Sequence, residues 1–72
     1  MLTIGERLKQ LRKEQKVMQK DLALFLEIPL RTFQSYEYNE VEPSVTILAK
    51  LADRFGVSLD YLIGRSDDPT RH

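Results

Sequence analysis

The chain has no cysteine, no tryptophan and a single histidine, His72, at its last position. Without cysteine there is no disulfide framework, no thiol nucleophile and no thiolate metal site. One histidine at a chain end, where backbones are usually loose, cannot be half of a metal or proton-relay pair. The three glycines, Gly5, Gly56 and Gly64, do not gather into a phosphate-cradling loop, and no carboxylate pair clusters for acid–base work. These absences exclude the common enzyme classes, and no cofactor or metal is expected. No apolar run approaches the roughly 18 residues needed to cross a bilayer, and no signal-peptide pattern opens the chain. No membrane role is therefore expected, and the expected location is the cytoplasm.

Net charge is lacking too: eleven Lys and Arg balance eleven Asp and Glu over 72 residues. A length of this order makes one domain, burying about 60% of its unfolded surface. The distribution of charge says more than its sum. Residues 1–36 hold seven bases (Arg7, Lys9, Arg12, Lys13, Lys16, Lys20, Arg31) and four acids, whereas residues 37–72 hold four bases and seven acids. A neutral molecule with one basic half can turn that half toward phosphates. Ordinary solvated charge would leave the same pattern.

What the chain does have is helical periodicity. The stretch QKDLALFLEIPLRTFQSYE, Gln19 to Glu37, contains two short amphipathic patterns separated by a Glu27-Ile28-Pro29 break. Two helices joined by so short a turn are the skeleton of a helix-turn-helix, a motif that presents its second helix to the major groove of DNA. The spacing predicts helices from about Ile4 to Gln15, Gln19 to Leu26, Leu30 to Tyr38, Ser44 to Phe55 and Leu59 to Ile63. Thr3-Ile4-Gly5-Glu6 fits a capping box. Asn39 and Gly56 suit left-handed helix ends, Ser58 suits a cap, and Gly64 ends the last helix. The expected fold is all-α: a compact five-helix bundle formed by residues 1–65, with 66–72 a disordered tail or linker stump. The expected core is Ile4, Leu8, Leu11, Val17, Leu22, Ala23, Leu26, Ile28, Phe33, Tyr36, Ile47, Leu48, Leu51, Phe55, Val57, Leu59 and Leu62. Met18 is also expected to turn inward, and Phe25 to extend the core beside it.

On the third helix, with Phe33 at zero and about 100° per residue, Gln34 falls near 100°, Arg31 near 160° and Ser35 near 200°. These face away from the buried direction set by Phe33 and Tyr36. Arg can fork to guanine, Gln can pair bidentately with adenine, and Ser can donate or accept. Glu37 instead falls about 40° from Phe33, on the inward side. A carboxylate there needs a partner, because unpaired burial is costly. Arg12 lies at the edge of the first helix's apolar stripe, so Arg12 and Glu37 are expected to pair. The bland reading has both reaching to water.

The motifs Ile4-Gly5-Glu6-Arg7-Leu8-Lys9-Gln10-Leu11-Arg12, Gln19-Lys20-Asp21-Leu22-Ala23, Tyr36-Glu37, Pro43-Ser44 and Leu51-Ala52 through Phe55-Gly56-Val57-Ser58-Leu59-Asp60-Tyr61-Leu62 resemble the phage repressor and Cro-type helix-turn-helix family, also called the xenobiotic-response-element family. The resemblance spans about residues 4–65. It implies a transcriptional regulator of the lambda-repressor-like type, a repressor that binds double-stranded DNA as a homodimer on a near-palindromic operator. By position, Leu30, Arg31, Gln34 and Ser35 match the family's base-reading residues. Gln19 matches the glutamine that touches the backbone and steadies them. Lys20, Arg12, Lys13, Thr32, Tyr38 and Asn39 fall where backbone contacts are made, with Tyr38 to Glu42 as the loop along the phosphates. Arg12 and Glu37 match the family's interhelical ion pair.

Several residues depart from the family pattern. Met18 stands where a Ser or Thr cap is usual, a loss of about 1 kcal/mol that burial of the thioether would offset. Pro29 replaces another hydroxyl cap, and Glu27 a common glycine. Leu24 and Phe25 replace polar residues, and Leu24 with Leu30 could form a protein-contact patch. Glu40 and Glu42 put negative charge beside the phosphates. These last features favour a competing class on the same fold: a protein-interaction module, antirepressor or antitoxin-like, with a regulatory protein as partner. In the regulator reading, Leu59, Tyr61 and Ile63 of the short last helix form the dimer interface. In its alternative, that helix packs wholly inward and the chain acts as a monomer.

Overall fold

The computed structural model describes residues 2–70; the positions expected for Arg71 and His72 in the tail lie outside the described residues. Five helices follow one another: α1 (Ile4–Glu14), α2 (Gln19–Leu26), α3 (Leu30–Glu37), α4 (Val45–Phe55) and α5 (Leu59–Leu62), with no strand among the described residues. The boundaries fall within a residue or two of those read from periodicity. Expected end residues Gln15, Tyr38, Ser44 and Ile63 serve as caps.

Local chemistry explains each start and stop. The Thr3 Oγ1 accepts from the Glu6 amide at 3.1 Å and Glu6 Oε1 accepts from the Thr3 amide at 2.9 Å, a complete capping box. The Thr3 amide donating to its carboxylate holds Glu6 below its ordinary pKa. Ser44 and Ser58 cap α4 and α5 by accepting from the Ile47 and Tyr61 amides. Gly56 closes α4 at φ 73°, and Asn39 follows α3 at φ 60°. Glu27 takes the same left-handed region at φ 57° to close α2, although only glycine enters it without steric cost. Ahead of α2, the Met18 side chain makes no cap. Instead Asp21 Oδ2 accepts from the Met18 amide at 3.3 Å, supplying half of a capping box.

Thirteen apolar residues form one buried cluster: Leu8, Leu11, Leu22, Ala23, Leu26, Phe33, Tyr36, Leu48, Leu51, Ala52, Phe55, Val57 and Leu62. Phe33 and Tyr36 meet edge to face, with centroids 6.4 Å apart, a favoured aromatic geometry. Ile4, Val17, Ile28 and Ile47, expected in the core, are half-buried at its rim, and Ala52 takes a full place in it.

Three inward expectations fail. Leu59 is exposed, Met18 is 57% exposed and Phe25 is 47% exposed. Met18 precedes α2, where the extended backbone turns its side chain out, so the thioether offsets nothing. Leu22, Ala23 and Leu26 already fill the inner face of so short a helix, leaving Phe25 at its flank. Leu59, the first residue of a four-residue helix, sits beyond the reach of the core.

Close packing of α1 on α3 depends on Gly5. A Cβ there would lie 2.5 Å from the Glu37 carbonyl oxygen and 2.6 Å from that of Tyr36. At the other end of α1, Gln15 Nε2 donates to the Phe55 carbonyl at 2.8 Å, tying α1 to the end of α4. In the segment expected to be a disordered tail or linker stump, the Pro69 carbonyl accepts from the Ser58 amide at 3.0 Å.

Candidate nucleic-acid interface

The α2–α3 pair is joined through Glu27, Ile28 and Pro29, and its inner surfaces bury Leu22, Ala23, Leu26, Phe33 and Tyr36. Burial of that face leaves the opposite face of α3 outward. Arg31 is exposed and forms no ion pair among the described residues. Leu30 is 42% exposed, and Thr32, Gln34 and Ser35 are half-buried. These are the residues singled out for base reading, with Thr32 beside them, and they lie along one helix.

Behind them runs a chain of side-chain hydrogen bonds. Glu37, whose side chain is fully buried, accepts from Arg12 Nε at 2.7 Å and Arg12 Nη2 at 3.3 Å. Its Oε1 also accepts from Gln19 Nε2 at 2.9 Å. Arg12 Nη1 donates to the Val17 carbonyl at 3.2 Å, so the same guanidinium fastens the α1–α2 connection. Gln19 Oε1 then accepts from Gln34 Nε2 at 3.2 Å. Arg12 and Glu37 therefore meet, and Gln19, the first residue of α2, links that pair to the outer face of α3. The Ser35 hydroxyl donates to the Thr32 carbonyl at 2.6 Å.

Beside this chain is a shallow groove lined by Lys9, Arg12, Lys13, Met18, Gln19, Glu37 and Tyr38. Lys13, Lys20 and Tyr38 are exposed, as a contact with phosphate requires. Lys9 was counted in the basic half of the chain but not singled out. Its signal was available: Lys9 and Lys13 stand four apart on α1 and share a face.

Two residues make contacts that the sequence did not indicate. Asn39 Oδ1 accepts from the Gly5 amide at 3.1 Å, and Asn39 Nδ2 donates to Thr3 Oγ1 at 3.0 Å. Its side chain thus fastens the start of α1 to the end of α3. Arg7, one of the seven bases of the first half, is 8% exposed, with its guanidinium carbon 3.9 Å from the centre of the Tyr61 ring. Its Nε has no hydrogen-bond partner among the described residues, and the aromatic face supplies compensating electrostatics. On the dimer surface expected from sequence, Leu59 is 37% exposed while Tyr61 and Ile63 are half-buried. Glu40 and Glu42 are exposed.

The described residues contain no group of three or more His, Cys, Asp or Glu placed to hold a metal ion. No helix among them is long and apolar enough to cross a membrane.

Comparison with known proteins agrees with this architecture. Residues 8–62 match the family model described as helix-turn-helix. The HTH-type transcriptional regulator ImmR of Bacillus subtilis (strain 168) is 33% identical over 66 residues, covering 92% of this chain and 52% of its own length. The HTH-type transcriptional regulator YobD of the same organism is 38% identical over 64 residues, covering 89% of this chain and 57% of its own. The chain therefore spans little more than half the length of these relatives. Among solved structures, the P22 c2 repressor protein, crystallised in complex with a synthetic operator, superposes with a TM-score of 0.82. It is 27% identical, with 92% of this chain and 100% of that chain covered. A transcriptional regulator from Listeria innocua gives the same TM-score, 0.82, at 32% identity, with 86% of this chain and 58% of that one covered.

Proposed function

The chain belongs to the helix-turn-helix family, and from that membership we propose that it is the DNA-binding part of a transcriptional regulator of repressor type. In this reading α3 enters the major groove of duplex DNA. Leu30, Arg31, Gln34 and Ser35 face base edges. Lys9, Lys13, Lys20, Thr32 and Tyr38 face the flanking phosphates. Arg12, Glu37 and Gln19 hold α3 at a fixed angle to α1 and α2. The operator is near-palindromic and is read by two copies related by a twofold axis.

The observation that carries this reading is the outward face of α3. It keeps an exposed arginine and two polar side chains, braced by a hydrogen-bonded chain that starts at a buried ion pair. A helix that merely closed a bundle would need no such bracing. The fold of the P22 c2 repressor, whose crystal structure includes an operator, supports the same reading.

Selection of bound sites from a random duplex pool, repeated at two salt concentrations, tests it. The expected result is a palindromic consensus whose affinity falls steeply with salt, by a log–log slope of about −0.9 per phosphate contact. Retention that ignores both sequence and salt would remove DNA recognition from consideration. Palindromic half-sites that saturate with one protein would remove the twofold arrangement alone.

A further inference from the structure

Two exposed flanks of opposite charge meet at the end of α3. On one side is the groove whose walls include Lys9, Lys13, Met18 and Tyr38. On the other is the connection to α4, which carries Glu40, Val41 and Glu42. This connection is held in place. The Glu40 amide donates to the Ser35 carbonyl at 2.9 Å, and the Val41 amide to the same oxygen at 3.4 Å, which pins the turn to α3. Pro43 is buried and anchors its far end. Tyr38, in the wall of the groove, stands two residues before Glu40, so the two flanks adjoin. Lys9, Lys13, Glu40 and Glu42 are all exposed, and none forms an ion pair among the described residues. With them Met18 is 57% exposed, Tyr38 60% and Val41 53%.

A duplex satisfies only half of this surface. Phosphates attract the lysines, but they repel Glu40 and Glu42 and gain little from Met18 or Val41. Basic, apolar and acidic groups side by side suit a twofold contact between identical surfaces. Each copy then sets its basic flank on the acidic flank of the other. The zero net charge of the chain removes the overall repulsion that keeps proteins monomeric. We infer that a second copy of this chain docks here, with Lys9 and Lys13 of each copy facing Glu40 and Glu42 of the other across Met18, Tyr38 and Val41. The contact is separate from the one expected through α5. Resting on the DNA-binding reading above, it covers the groove that faces phosphate, so a duplex and a second copy compete for the same lysines. One exposed ion pair adds little. The twofold axis makes each pair twice, which gives a reversible, salt-dependent contact.

Sedimentation of the whole chain at rising concentration tests this. It is run also on Leu59→Asp, so that a contact through α5 does not contribute. The expected result is a monomer–dimer equilibrium that Leu59→Asp retains. It should weaken about tenfold as the Debye length shrinks from about 30 Å at 0.01 M salt to about 8 Å at 0.15 M. Two double variants on the Leu59→Asp background then exchange the charges: Lys9→Glu with Lys13→Glu, and Glu40→Lys with Glu42→Lys. All four positions are exposed, and unchanged urea midpoints confirm the folds. Each double variant alone should self-associate at least about tenfold less, because like charges then face each other. An equimolar mixture of the two should recover the pair. A duplex of about one helical turn, too short for two copies, should dissolve the Leu59→Asp pair as it binds. A chain that stays monomeric at low salt overturns the inference. So does a pairing lost in Leu59→Asp, a mixture that fails to pair, or a duplex that binds while the pair persists. If no duplex binds at any salt, the DNA-binding reading fails, whereas the pairing is judged by the charge exchange alone.

Discussion

At the scale of single residues, burial decides which charges matter. Arg12 and Glu37 are taken out of water together, the Glu37 side chain fully buried and that of Arg12 only 14% exposed. Removing one partner of such a pair leaves an uncompensated ion and costs about 3–5 kcal/mol, whereas the net worth of the intact pair is much smaller. Glu37→Ala and Arg12→Ala are therefore each expected to lower the urea-unfolding free energy by an amount of that order. The double variant should lose less than the sum of the two. A double-mutant cycle with no coupling would show that the two groups act separately. The exposed charges behave differently. Arg31→Ala is expected to lose about 1–3 kcal/mol of discrimination at one base position. Lys13→Ala should weaken all sequences alike and lower the salt slope by about one. Gel-shift titrations on specific and random duplexes separate the two effects, and equal losses for Arg31→Ala on both would remove it from base reading.

At the scale of the helices, most of what the structure holds was legible, and the misses share a cause. Periodicity and capping chemistry place all five helices, because Thr3, Ser44, Ser58, Asn39 and Gly56 act over one turn of chain. The facing of Glu37 and Arg12 was legible for the same reason. The sequence did not reveal that Arg7 lies on the Tyr61 ring or that Asn39 fastens Gly5, since both contacts join residues distant in the chain. Nor did it reveal that Met18, Phe25 and Leu59 stay out of the core, because a helical wheel does not know where a short helix runs out of neighbours.

Two local departures give expected gains in stability. Glu27 holds φ 57°, so Glu27→Gly should relieve left-handed strain and raise stability by about 1 kcal/mol. Met18→Ser should supply the missing cap for α2, again worth about 1 kcal/mol. Urea midpoints that fall for either variant would contradict the backbone account. The α1 cap also carries a pH dependence. The folded Glu6 pKa is depressed, chiefly by the Thr3 amide. Its contribution is thus present above the ordinary value of 4.5 and is lost as pH falls through the lower folded value. A carboxyl carbon-13 titration of Glu6 should show a midpoint below that ordinary value, and Glu6→Gln should flatten the acid limb of stability.

At the scale of the whole molecule, the question is how so small a surface becomes selective. One α3 of eight residues can read about four or five base pairs, too few to mark a single place in a genome. In the twofold arrangement proposed above, two copies would double the sequence read and set their helices in successive major grooves about 34 Å apart. In that proposed dimer, the joining surface would lie off the proposed DNA face. The turn after α4 and α5 itself offer one: Val57 and Leu62 are buried, but Leu59 is 37% exposed and Ile63 is half-buried beside it. Tyr61 is held in place under the Arg7 guanidinium, so this surface is pre-shaped from within the protomer. The patch is small, which argues for a dimer that is weak in free solution and strengthened when an operator holds both copies side by side. Leu59→Asp should therefore change the urea midpoint only modestly, because Leu59 lies outside the buried cluster and its rim. It should abolish cooperative filling of the two half-sites while leaving binding to an isolated half-site intact. Sedimentation of the wild type with an operator duplex should give two proteins per duplex at saturation; a single protein on a full palindromic site would end the dimer hypothesis.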